Sequence, residues 1–178
     1  MRKLTAVFIL LAFAATAWSQ QVSRTIMDQT DAQKAFDRLK SLAGSWDGVL
    51  SGTGTPYDGK TMRFTLRVTS TGNALLHEMT GLPGRPDDPI TMFYLDEERL
   101  MLTHYCDAGN RPRMMAKMSP DGKILDFDLV DIAGGMQKGH MHSVKFTFID
   151  DDHHTEDWTF MLPNGKTGPG HFELVRAK

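Results

Sequence analysis

From Gly44 to the C-terminus the chain is written in short runs in which apolar and polar residues alternate, each run closed by a turn signal. Met62, Phe64, Leu66 and Val68 alternate with Arg63, Thr65, Arg67 and Thr69, the period of a strand with one face buried. Leu125, Phe127 and Leu129 repeat the pattern, followed by Val144, Phe146 and Phe148, by Trp158 and Phe160, and by Phe172 and Leu174. Thr71-Gly72-Asn73, Asp96-Glu97-Glu98, Ser119-Pro120-Asp121-Gly122 and Pro163-Asn164-Gly165-Lys166 supply tight turns, and Pro83 to Pro89 forms a longer, proline-punctuated loop. Counting from Trp46–Ser51, about ten strands result. Links this short leave no room for helical crossovers, so the strands form an antiparallel meander. That many strands with one apolar face either stack as two sheets or close on themselves. No cysteine pair is present to bridge two sheets, and the expectation is a closed all-β up-and-down barrel.

Ahead of the strands the period is 3.6. Thr30 followed by Gln33 has the spacing of a capping box, and Ala32, Ala35, Phe36, Leu39 and Leu42 recur on one helical face. Gly44 is placed to end this short helix in a left-handed cap. The helix can then lie across one mouth of the barrel, with Trp46 as an indole plug beneath it.

The first residues read differently. Met1-Arg2-Lys3, an apolar run from Leu4 to Ala17, and small residues at Ala17 and Ser19 are the marks of a cleaved secretory signal. Residues 1–19 are therefore expected to be removed near Ser19/Gln20, residues 20–30 to form a flexible leader, and residues 31–178 to form one domain that is periplasmic or secreted. The mature chain then has no membrane span. Loss of Arg2 and Lys3 takes the formal charge from −2 to −4, which gives no basic face for nucleic acid. Cys106 is the only cysteine, so no internal disulfide can form.

The order helix, Gly44-Ser45-Trp46, then a ten-strand meander resembles the calycin superfamily of lipocalins, fatty-acid-binding proteins and haem-binding nitrobindins. More closely, Phe36-Asp37-Arg38-Leu39-Lys40 with Leu42-Ala43-Gly44-Ser45-Trp46-Asp47-Gly48 looks like an uncharacterised group of exported bacterial lipocalin-like proteins. The resemblance spans about residues 31–178 and implies a lipocalin-like cup for a small, largely apolar molecule. Where nitrobindins carry the histidine that ligates haem iron, this chain has His171 on its last strand. Alternation sets His171 opposite Phe172 and Leu174, so it reaches an internal haem only if those two face outward.

The residues of the chain supply the candidate ligand contacts. Phe64, Leu66, Met92, Phe127, Phe146 and Trp158 are the apolar set, with His77, His104 and Arg113 as polar orienting groups. Twelve methionines suit either an adaptable binding surface or ordinary core filling. His140 and His142 share a face if extended, but Gly134-Gly135 and Lys138-Gly139 suggest a solvated loop, and no third ligand stands at diagnostic spacing. His153-His154 beside Asp150-Asp151-Asp152 reads as a hairpin tip. No catalytic residue, metal or obligatory cofactor is assigned. Haem binding, an isomerase or hydrolase using His104, and a filled barrel serving as an envelope interaction module stand as alternatives to ligand binding.

Overall fold

The computed structural model describes residues 29–81 and 89–178. The expected signal segment, most of the expected leader and Pro83 to Asp88 of the proline-punctuated loop lie outside the described residues. One helix, α1 (Asp31–Lys40), precedes ten strands: β1 (Gly44–Ser51), β2 (Thr61–Thr69), β3 (Ala74–Thr80), β4 (Ile90–Asp96), β5 (Arg99–Tyr105), β6 (Arg111–Met118), β7 (Ile124–Ala133), β8 (His140–Phe148), β9 (His153–Met161) and β10 (Thr167–Arg176). Each strand pairs antiparallel with its sequence neighbours, and β1 pairs with β10 to close the barrel. Closure leaves no unpaired edge, which is how a ten-strand sheet avoids joining another chain edge to edge.

The alternation read from sequence sets the two faces. Phe64 and Leu66 on β2, Phe127 on β7, Phe146 on β8 and Leu174 on β10 point inward and are almost fully buried. Their strand neighbours Arg63, Asp126 and Lys145 lie outside, where Arg63 pairs with Asp47 and Lys145 with Asp126 across adjacent strands.

One end of the barrel is sealed. Thr30 caps α1 by accepting the Gln33 amide, and Ala35, Phe36 and Leu39 bury the helix against β2, β4 and β5. Trp46 is wholly buried below it, and its indole N–H donates to the Leu42 carbonyl at 2.8 Å. The Arg176 guanidinium lies 4.1 Å from the Trp46 ring centroid and donates to the carbonyls of Ser41, Ala43 and Asp151. A single arginine thus ties the helix exit, the β8–β9 turn and the plug together.

Gly44 has a different part from the expected helix cap. The helix ends earlier, at Ser41 in right-handed conformation, and Gly44 opens β1 with φ of 140°. A Cβ there would stand 2.7 Å from the Arg176 guanidinium, so the glycine admits the arginine to the chain it braces.

Candidate functional site

Halfway along the barrel an ionisable layer interrupts the apolar core. Glu156 on β9 is fully buried, and its carboxylate accepts from three ring nitrogens: His77 Nε2 at 3.1 Å, His154 Nε2 at 3.2 Å and Trp158 Nε1 at 2.9 Å. Burial alone would raise its pKa, but His77 beside it and the donated hydrogen bonds win, holding the carboxyl well below the usual range. A buried carboxylate with this set of donors is a fixed negative centre, and Phe64, Phe93 and Phe146 ring the His77 imidazole that faces it.

Below this layer the barrel is filled. Phe93, Phe127 and Phe146 pack edge to face with centroids 5.3 to 6.1 Å apart, and His154 meets Trp46 edge-on at 4.3 Å. Above it, at the end away from α1, a cavity of about 500 Å³ opens. Leu50, Met79, Met141, Phe160 and Phe172 form its walls together with Trp158, His104 supplies an imidazole, and Thr53, Tyr57, Cys106 and Lys138 are also at its surface.

Two absences of side chain create the room. Gly168 and Gly170 occupy inward positions of β10 in line with Phe172 and Leu174, and both line the cavity. A Cβ at either would meet nothing nearer than 3.5 Å. These glycines sit in ordinary strand backbone, so what they contribute is space. The rim is braced by Asn110, whose side-chain amide donates to the carbonyls of Gly135 and Gly139 at 2.9 and 2.7 Å and so joins the β5–β6 turn to the β7–β8 loop.

His104 is the one imidazole shared by wall and cavity. It is 2% exposed, its Nδ1 lies 2.8 Å from the Thr91 hydroxyl, and its ring sits 5.4 Å from that of Trp158. Burial and the neighbouring His77 push its pKa down to about 3, so it is neutral at physiological pH.

Neither a family model nor a curated protein sequence matches the chain. Among solved structures it is similar to the crystal structure of Rv2717c from M. tuberculosis, with a TM-score of 0.55 and 14% identity over 83% of this chain and 100% of that one. What the two share is the fold, a closed antiparallel barrel, which is consistent with a calycin-like architecture. At that identity the likeness carries architecture and nothing about ligand.

Within the barrel the residues singled out from sequence divide into three groups. His104 and Trp158 line the cavity. His77, Phe64, Leu66, Phe127 and Phe146 point inward but belong to the packed layers and do not line it. Met92 and Arg113 are outside: Met92 is half-buried between inward Thr91 and Phe93, and Arg113 pairs with Asp131 on the outer surface. The run Ile90 to Leu95 is apolar on both faces, so its register is decided by partners such as Leu75 and Leu102 opposite Phe93.

His171 faces outward, its Nδ1 2.6 Å from Asp157, while Phe172 and Leu174 point in. His153 lies at the β8–β9 turn beside Asp150, but His154 is not at a hairpin tip; it is buried under the core against Trp46. His140 and His142 open β8 with ring nitrogens 3.4 Å apart, rather than lying in the loop before it, and a register shift follows at Met141/Ser143. Among the described residues no cluster of three or more His, Cys, Asp or Glu is placed to hold a metal ion.

Glu156 and the glycines of β10 went unread in the sequence. His154, Glu156 and Trp158 are spaced by two, so the inward face of Trp158 fixes the other two as inward as well. The adjacent aspartates masked that signal.

Proposed function

We propose that the protein is an exported, non-catalytic calycin-like barrel that takes a small hydrophobic or amphipathic molecule into its open end. The observation that carries this reading is the cavity above the Glu156 layer, walled by Leu50, Met79, Met141, Phe160 and Phe172. Each roughly 100 Å² of apolar ligand surface taken out of water there contributes about 2.5 kcal/mol before the costs of association. Methionines on two sides give the wall compliance toward ligands of different shape. The basic start, apolar centre and small-residue exit of residues 1–19 support export.

The test is a titration of the mature chain with the uncharged dye Nile red. Trp158 borders the cavity and Trp46 is sealed at the far end, so dye entry should give saturable energy transfer that falls in Trp158→Phe while the dye's own blue-shifted emission persists. No saturable signal with either chain would remove the proposal.

A further inference from the structure

The hydrogen bonds around His104 determine what the cavity asks of its guest. Thr91 is 1% exposed, and its hydroxyl has no hydrogen-bond partner among the described residues other than His104 Nδ1. A buried hydroxyl hydrogen without an acceptor costs more than a spare lone pair, so Thr91 donates and Nδ1 accepts. The ring proton of the neutral imidazole then sits on Nε2. That nitrogen makes no hydrogen bond among the described residues, and the imidazole lines the cavity.

The surroundings also discriminate by charge. One layer down, the Trp158 indole N–H is committed to the Glu156 carboxylate, so it has no proton to offer a ligand. An anionic head placed deep in the cavity would find no free cation there, because His104 is neutral and the deeper His77 is already paired with Glu156.

We propose that the deep end of the cavity is a subsite for a neutral carbonyl oxygen, such as that of an apolar ketone or ester, which accepts a hydrogen bond from Nε2–H of His104. This deepens the ligand-binding reading and rests on it. Thr91 is the positioning residue that sets the tautomer, and the apolar walls take the rest of the guest.

Three probes separate the two claims: methyl hexyl ketone, the isostere in which a terminal methylene replaces its carbonyl oxygen, and octanoate. In the wild-type mature chain the carbonyl stretch of bound ketone should move to lower frequency than in hydrocarbon solvent. Nitrogen NMR of labelled histidine should show the His104 proton on Nε2. In His104→Phe, which keeps an aromatic ring in the wall, the frequency shift should vanish and the ketone-to-isostere affinity ratio should fall about tenfold, the cost of leaving a buried acceptor unpaired. Thr91→Val should lower the same ratio by scrambling the tautomer, and its fold is checked by circular dichroism.

A proton on Nδ1, an unchanged ratio in both variants, or octanoate binding tighter than ketone through His104 would overturn the carbonyl subsite while leaving the cavity a binding site. Failure of all three probes to bind would overturn both.

Discussion

The indole N–H of Trp158 donates to the carboxylate of Glu156 at 2.9 Å, two residues back on the same strand. Through that bond the boundary of the open cavity is fastened to a fully buried charge, and the barrel divides into a sealed, filled half and a hollow half. Which half a residue belongs to decides what replacing it does.

Replacing Glu156 should damage stability as much as truncating a buried aromatic residue. Glu156→Ala strands donors on His77, His154 and Trp158 inside the core, a loss of about 3–5 kcal/mol for a broken buried pair. Glu156→Gln retains an acceptor and should cost less. Because the folded pKa lies below the ordinary 4.5, the charged carboxylate stabilises the fold fully above that value, and the benefit is lost as the pH falls below it. Urea denaturation of the wild type and Glu156→Gln across that range checks both points, and the variant should lose less on acidification.

His104 produces a separate acid sensitivity at higher pH. The unfolded chain takes up a proton near the ordinary 6.5, whereas the folded chain refuses it until about 3, so stability is whole above 6.5 and declines as the pH drops through that window. The slope is at most about 1.4 kcal/mol per pH unit for one group. His140, also lowered by burial and by His142, adds a contribution of the same sign. Denaturation midpoints followed from about pH 7.5 to about pH 5 should fall less steeply in His104→Phe than in wild type.

The sealed end should be separable from the hollow one. Trp46→Ala removes a wholly buried indole and should cost about 3–5 kcal/mol. Arg176→Met keeps an apolar stem over the indole but removes the donors to Ser41, Ala43 and Asp151, for a smaller loss of about 1–3 kcal/mol. Thermal melts measure both losses. Nile red affinity of the Arg176→Met protein at room temperature should match wild type, because the cavity lies at the opposite end.

Much of this architecture is written locally. The helix from Thr30, the ten strands and the inward face of Phe64, Phe127 and Phe172 follow from periods of 3.6 and 2 that any short window reveals. His104 and Trp158 could be placed inside by the same alternation. The height at which the barrel becomes hollow could not, because it depends on summing side chains from ten strands at each level. Phe93, Phe127 and Phe146 fill one level, while Gly168 and Gly170 leave the next open. Glu156 was hidden for a different reason. A carboxylate among aspartates looks like solvated surface until the partners that neutralise it, His77 from β3 above all, are brought across the barrel.

The most direct measurement is Nile red binding to a chain carrying Gly168→Leu and Gly170→Leu. Both positions accept a Cβ without clash and both project into the hollow half, so the leucines should fill it while leaving the fold intact. The expected result is a melting temperature close to wild type and an affinity reduced by about tenfold or more. Unchanged affinity in a stably folded double variant would contradict it, because the dye would then be bound somewhere other than the cavity above Glu156.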